Sequence, residues 1–284
     1  MKVKSFTRVT LALDIVKKIS DGQFAGYHEL GIIKHKIDLH DILEISDSKE
    51  MAITCDNPLV PCDSSNICWK ATLLLKERFG IQSNVKINII KNIPVMGGLA
   101  GGSANAASTL AALSAYWNLN LSTDVLITLG RMLGMDVPFY FTGNTAFDTE
   151  ATNVIRPLHH STAFTFVLAI PEFGVSTKDA YQGIDYSLIG KATDKTKLLE
   201  ESLCHNDIEL VFPLMHNDFE LTVFKKYPAL SALKKQLVDK GCIASVMSGS
   251  GSTVLGIAES RHHAEAIQRT LNCKTIIASS FSEM

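Results

Sequence analysis

Four glycines within six residues, Gly97, Gly98, Gly101 and Gly102, precede Ser103 and a run of small residues. Glycine lets successive backbone N–H groups turn toward one point with no side chain in the way. A helix starting near Ser103 adds its own unpaired N–H groups and the positive end of its dipole. The stretch from Pro94 to Ser108 is thus suited to hold an anion, most often a phosphate; a plain flexible glycine turn is the alternative. It is not a Walker A loop, which ends in Gly-Lys-Ser/Thr, because no lysine lies between Lys91 and Lys178. Nor is it the dinucleotide fingerprint G-x-G-x-x-G, since the spacing is Gly97-Gly98-x-x-Gly101-Gly102.

Five further segments carry residues that could do chemistry. Arg8 sits in the apolar run Thr7-Arg8-Val9-Thr10-Leu11, where a positive charge is costly unless it is partnered. It either neutralises charge on a transferring phosphate or faces outward from a strand. Gly26-Tyr27-His28-Glu29-Leu30 offers a flat face and ring donors and acceptors suited to a planar base or sugar, or is an ordinary hairpin pair. Asp136, in Leu133-Gly134-Met135-Asp136-Val137-Pro138-Phe139, is flanked by apolar residues. It is either a base for a substrate hydroxyl or the cap of a short helix. Phe173-Gly174-Val175-Ser176-Thr177 with Tyr181 behind it, and Met247-Ser248-Gly249-Ser250-Gly251-Ser252, are rich in backbone and hydroxyl donors, as ordinary turns also are.

The elements that position these segments follow from pattern. Residues 3–16 read as a strand, residues 17–26 as a polar turn, and residues 29–46 as one long or two short strands. Asn66 caps a helix over Ile67–Phe79 that Gly80 ends, and Ser122 caps one over Thr123–Leu133 that Gly134 ends. Val85, Ile87 and Ile89 alternate with Lys86 and Asn88 as a half-buried strand. The glycine loop leads into a helix over 104–117. Strands are expected at 145–147, 164–170, 243–247, 253–258 and 274–279. Helices are expected at 206–225, 228–240 and 260–271, with a surface loop over 185–197. This is an α+β pattern rather than a strict βαβ alternation, with two lobes meeting near residue 158.

Composition bounds the function. The chain has 284 residues, 46% hydrophobic and 20% charged, with a net charge of −2, enough apolar material for a real core. No long basic run is present, which argues against nucleic acid as the main partner. Cysteines 55, 62, 68, 204, 242 and 273 show no C-x-x-C spacing and read as buried thiols of a reducing compartment. The N-terminus does not read as a signal peptide, and no apolar run reaches 18 residues. A cytoplasmic protein with no membrane partner is the expectation.

The order of these segments resembles the GHMP kinases, the superfamily of galactokinase, homoserine kinase, mevalonate kinase and phosphomevalonate kinase. Its phosphate loop reads P-x-G-x-G-L-G-S-S-A-A or close variants. The resemblance extends to a branch whose substrate is a cytidyl-linked sugar alcohol. That branch carries G-Y-H-x-L and I-D-L-x-D, similar to Gly26–Leu30 and Ile37-Asp38-Leu39-His40-Asp41, and L-G-A-D-V-P-F, similar to Leu133–Phe139. The Gly174–Thr177 and Met247–Gly251 segments also match, so nearly the whole chain is covered. The resemblance implies an ATP- and Mg2+-dependent small-molecule kinase with a two-lobe α+β fold and an ATP cleft between the lobes. It implies an N-terminal domain over 1–157 and a C-terminal domain over 158–284, as a monomer or homodimer.

The implied site follows residue by residue. Pro94, Gly97, Gly98, Leu99, Ala100, Gly101, Gly102, Ser103 and Ala104 would wrap the triphosphate, with Asn66, Ile67 and Lys91 near the adenine. Tyr27 and His28 would hold the cytosine and Tyr181 would stack on it, with Thr177, Ser248 and Gly249 also on the substrate. Asp136 would take the hydroxyl proton, oriented by the cation Arg8, with Thr10 beside it; no magnesium ligand is assigned, Ser103 being the only suggestion. Three stretches depart from the pattern. The first motif, P-A-K-I-N-L in the family, is Phe6-Thr7-Arg8-Val9-Thr10-Leu11 here; Ala100 and Ala104 stand where glycine and serine are usual; and A-T-G-R-G-E is Ala151-Thr152-Asn153-Val154-Ile155-Arg156. Other outcomes are a diverged kinase with another substrate or a catalytically weakened nucleotide-binding regulator.

Overall fold

A computed structural model of the chain describes residues 1–22, 24–152 and 154–282. Gln23 of the expected turn and Asn153 of the third departing stretch lie outside the described residues. The chain forms two compact units: residues 1–7, 39–95 and 100–142, and residues 8–38, 96–99 and 143–284. Two long strands, β1 (Lys2–Lys18) and β2 (His28–Ser48), each run through both units. A boundary at 157/158 divides the chain into contiguous stretches, which neither unit is.

In the first unit, β3 (Ala52–Cys55) precedes α1 (Ile67–Phe79), β4 (Asn84–Ile90), α2 (Gly101–Tyr116), α3 (Thr123–Leu133) and a 3-10 turn over Val137–Phe141. The second half of β2 pairs antiparallel with β4, Leu43 opposite Ile89 and Ile45 opposite Ile87, and β3 runs parallel to β4. The alternation read in β4 is realised: Val85, Ile87 and Ile89 are buried while Lys86 points outward. They pack with Cys68, Ala71 and Leu75 of α1 and Ala106, Ala107, Leu110 and Leu113 of α2, each larger side chain contributing about 1.5–3 kcal/mol of burial. The caps are as expected. Asn66 Oδ1 accepts from Cys68 N–H at 2.8 Å, Gly80 closes α1 at φ +68°, and Ser122 Oγ accepts from Val125 N–H.

The second unit continues with β5 (Thr145–Glu150), β6 (Ile155–Pro157), β7 (Thr165–Ile170), α4 (Thr177–Gln182), α5 (Thr193–Cys204), α6 (Ile208–Leu214), β8 (His216–Asn217), α7 (Glu220–Lys226), α8 (Pro228–Asp239), β9 (Ala244–Met247), β10 (Val254–Ala258), α9 (Arg261–Gln268) and β11 (Lys274–Ser279). The first half of β2 pairs antiparallel with β5, and β8 pairs parallel with β1. A separate antiparallel sheet has the order β11-β7-β10-β9. Its apolar face, with Val167, Ala169, Met247 and Val254, packs with Leu230 and Leu237 of α8 and Ala264 and Ile267 of α9.

Two expectations are corrected. The single helix over 206–225 is two helices, α6 and α7, separated by the β8 bridge. Pro213 lies in the last turn of α6, and Met215 after it is extended at φ −63°, ψ 127°, since proline removes a helix hydrogen bond and ends the run. The loop over 185–197 gives way to α5 at Thr193, because Thr196, Leu199 and Leu203 form a buried helical stripe beneath a polar exterior. Among the described residues no helix is long and apolar enough to cross a membrane.

Candidate functional site

In the second unit the site is built on β1. Arg8, 6% exposed, points its guanidinium at the first glycine loop: Nη1 donates to Gly98 O at 3.0 Å and to Thr10 Oγ1 at 3.1 Å. Thr10 thus orients the arginine, and its backbone N–H meets Ser248 Oγ at 3.3 Å. Ser248 Oγ donates in turn to Gly98 O at 3.1 Å, and Thr253 N–H donates to Gly97 O. Gly98 is at φ +72°, and a methyl group there would lie 2.1 Å from Ser248 O, so only glycine fits. Gly249, at φ +55°, is less tightly enclosed: a methyl group would come within 3.1 Å of Gly98 O and 3.6 Å of Arg8 Nη1. Arg8, Thr10, Gly97, Gly98, Ser248 and Gly249 are therefore one assembly. Arginine on an outward strand face is ruled out.

Sequence reading missed the brace behind it. Asn217 of β8, 4% exposed, donates through Nδ2 to Met247 O at 2.7 Å and Gly249 O at 2.8 Å, and its Oδ1 accepts from Phe219 N–H. One buried amide fixes the start of the Ser248–Ser252 turn. No local signal marks it, because both acceptors are distant in sequence.

In the first unit the chain passes from Ala100 into α2. Ala100 is the N-cap in the left-handed region, φ +52°, ψ +33°, with no side chain to cap the helix. A glycine-type conformation at this alanine is what the departure from the family loop implies. Its carbonyl accepts from Ala104 N–H at 3.0 Å and from the Tyr140 hydroxyl at 3.1 Å. The first-turn N–H groups of Gly101, Gly102 and Ser103 have no acceptor within the helix, which is the condition under which a helix start can take an anion. Gly101 lies tight on Ile93: a methyl group would meet Ile93 Cγ2 at 2.8 Å. Gly102 is open, its nearest neighbour being Ile67 at 3.9 Å. Pro94 is half-buried and Leu99 fully buried, at the two ends of the loop.

Lys91, expected beside the adenine, has its ammonium turned inward. It pairs with Asp41 Oδ2 at 2.8 Å and donates to Ile93 O; burial pushes its pKa down while Asp41 opposes the shift. Asp41, fully buried, also accepts from Asn92 N–H, Ile93 N–H and Asn105 Nδ2, each at 2.8–2.9 Å. The pair ties the entry of the glycine loop to the second turn of α2. Asn66 is used as a cap, with Nδ2 on Pro61 O, and Ile67 presents its side chain to Gly102 and Gly134. Asp136 occupies the N-cap position of the 3-10 turn, yet its carboxylate makes no capping hydrogen bond. The residue thus takes the cap position of a short helix, as one of its two readings expects, without the side-chain bond.

The second unit also holds an aromatic cluster. His28 stacks on Tyr181, ring centroids 4.9 Å apart at 29°, and Tyr181 meets Phe219 edge-on. Tyr27, 52% exposed, leans on Phe24 rather than on His28. Burial and the Lys18 ammonium lower the His28 pKa, which keeps the ring neutral. Thr177 Oγ1 lies 3.1 Å from Ser250 Oγ, joining the start of α4 to the second glycine turn. Tyr186, which the sequence did not single out, places its hydroxyl 2.8 Å from His28 Nε2. Among the described residues no group of three or more His, Cys, Asp or Glu side chains is arranged to hold a metal ion.

The chain matches the family model described as GHMP kinases N terminal domain over residues 66–144 and that described as GHMP kinases C terminal over residues 199–277. It is 36% identical to a 4-diphosphocytidyl-2-C-methyl-D-erythritol kinase of Clostridium perfringens, over 89% of this chain and 87% of the relative. It is 35% identical to the protein of the same name from Gloeobacter violaceus, over 94% and 88%. A crystal structure of 4-(cytidine 5'-diphospho)-2C-methyl-D-erythritol kinase superposes with a TM-score of 0.83 at 26% identity, covering 100% of both chains.

Proposed function

The chain belongs to the 4-diphosphocytidyl-2-C-methyl-D-erythritol kinases within the GHMP kinases, and from that premise we infer how its residues share the work. It is a small-molecule kinase that transfers the γ-phosphate of ATP to the 2-hydroxyl of 4-diphosphocytidyl-2-C-methyl-D-erythritol, in the non-mevalonate route to isoprenoid precursors. We place it in the cytoplasm, with family domains over 1–157 and 158–284.

The observation that carries the phosphate assignment is the uncapped start of α2, where Gly101, Gly102 and Ser103 open the helix beside a loop only glycine can line at position 98. Backbone N–H groups of Gly97 to Ser103 take the triphosphate, with Pro94 and Ala104 at the two ends of the wrapping stretch. Arg8, held by Thr10 and Gly98 O, supplies fixed positive charge where the phosphoryl group passes, which costs no reorganisation during transfer. Asp136, at the start of the 3-10 turn, accepts the proton of the attacking hydroxyl. Magnesium bound with ATP would neutralise phosphate charge, and the Ser103 hydroxyl at the start of α2 would help hold it. Asn66 and Ile67 border the adenine, and Lys91 supports the loop from beneath. Tyr27, His28 and Tyr181 meet the cytosine, with Thr177, Ser248 and Gly249 on the remainder of the substrate.

The test is ADP release with ATP, magnesium and the cytidyl substrate, with free methylerythritol phosphate as the control. Substrate-dependent turnover is expected, and Asp136→Asn should lower kcat by about 10²–10⁴-fold, the range a general base contributes. Undiminished turnover in Asp136→Asn would remove Asp136 as the base. Equal turnover of the control would remove the cytidyl requirement.

A further inference from the structure

The segment between α4 and α5 is short, but it is built. Asp185 Oδ1 accepts from Ser187 N–H at 3.0 Å and from Ser187 Oγ at 2.6 Å, and Leu188 N–H returns to Asp185 O. Ile189 is buried in the core beside Leu13 and Ile15. Gly190, at φ +71°, donates its N–H to Asp218 Oδ2, and a methyl group there would lie 3.1 Å from Val16 O. Tyr186 is therefore delivered by a turn tied at both ends. Its ring lies nearly parallel to His28, at 15° and 6.0 Å, with the hydroxyl on Nε2 at 2.8 Å.

A neutral imidazole has one N–H and one lone pair, and whichever nitrogen takes a fixed partner decides what the other presents. Its partner here is a phenol, whose O–H is a good donor to a ring lone pair. When the phenol donates to that lone pair, the other ring nitrogen carries the N–H.

We propose that Tyr186 is a positioning residue for nucleobase specificity: its hydroxyl donates to His28 Nε2, holds the ring proton on Nδ1, and so offers the substrate base a hydrogen-bond donor. The proposal rests on the reading that His28 meets the base. Cytosine carries acceptors at O2 and N3, whereas uracil carries a proton on N3. A donor on His28 matches the first and opposes the second, and discrimination is strong when a mismatch leaves polar groups unpaired.

Tyr186→Phe keeps the ring and removes only the hydroxyl, at a position 52% exposed, so the fold is retained. In the full chain, KM for the cytidyl substrate should rise about tenfold, the scale of one lost hydrogen bond. The kcat and the KM for ATP should stay within about twofold, and preference over the uridyl analogue should fall by a similar tenfold. Nitrogen-15 spectra should show His28 as the Nδ1–H form in the natural chain and as a mixture in the variant. An unchanged KM, or an Nε2–H form in the natural chain, overturns the proposal. The underlying reading is checked apart: if the cytidyl substrate leaves the His28 resonances of the natural chain unmoved, the base does not meet His28 and both fall. If those resonances move while Tyr186→Phe behaves like the natural chain, only the role of Tyr186 falls.

Discussion

At the scale of single residues, the site rests on groups whose type is costly where they stand. A guanidinium 6% exposed in an apolar strand asks for partners, and this made Arg8 legible. Ala100 is legible for the opposite reason, as a methyl group where the loop needs a left-handed backbone. At φ +52° it bears strain of about 1–2 kcal/mol that glycine does not. Ala100→Gly should therefore stabilise the protein by about 1 kcal/mol, raising Tm by about 2–4 °C, read by thermal unfolding; a lower Tm would show that the alanine is relaxed. Thr10 is shorter than the asparagine of the family motif, yet its hydroxyl still reaches Arg8 Nη1 at 3.1 Å, so the shortened side chain retains the orienting contact. Tyr186 and Asn217 left no mark in the sequence, because a tyrosine in a polar stretch and an asparagine within an expected helix over 206–225 are ordinary. Their significance lies in partners far along the chain.

At the scale of elements, the readable parts are those with local chemistry. Asn66 and Gly80 bound α1, Ser122 starts α3, and the two-residue alternation of β4 survives intact. The α6–α7 break was hidden because its cause is shared between Pro213 and the pairing of His216 and Asn217 with β1, and no window of sequence contains β1. The same bridge gives β8 an importance beyond its two residues. Asn217→Ala removes two hydrogen bonds to buried carbonyls and one to Phe219 N–H, and should cost about 2–4 kcal/mol. Asn217→Asp keeps the acceptor and loses both donors, so it should fail as well. Both are measured by denaturant unfolding, and full stability in Asn217→Asp would show that the Ser248–Ser252 turn holds its shape unaided.

At the scale of the whole molecule, buried histidines set how stability responds to pH. His35 is enclosed between Thr145 Oγ1 at 2.7 Å and Ser280 Oγ at 2.8 Å, and burial, with the neighbouring His160, lowers its pKa from 6.5 to about 3. The unfolded chain then binds the extra proton first. Stability from neutral His35 is complete above pH 6.5 and drains away as pH falls toward 3. His216 runs the other way: the Asp14 carboxylate, at 2.9 Å, holds its pKa above 6.5 against burial. Its contribution is complete below pH 6.5 and is lost as pH rises through the raised value. Tm measured from pH 4.5 to 7 should fall steeply on the acid side, and His35→Gln should flatten that slope; an unaltered slope would assign acid sensitivity elsewhere. The threading of β1 and β2 through both units has a consequence for birth as well as for stability. A chain leaving the ribosome has every residue of the first unit by Thr142, while the Arg8–Asp38 segment, whose β1 and β2 parts pair with each other, gains its remaining partners only with β5, β8 and Ser280. At about 5–20 residues per second it takes on the order of ten seconds to reach Thr142, and until the later strands emerge β1 and β2 can pair with each other while their β8 and β5 edges stay open.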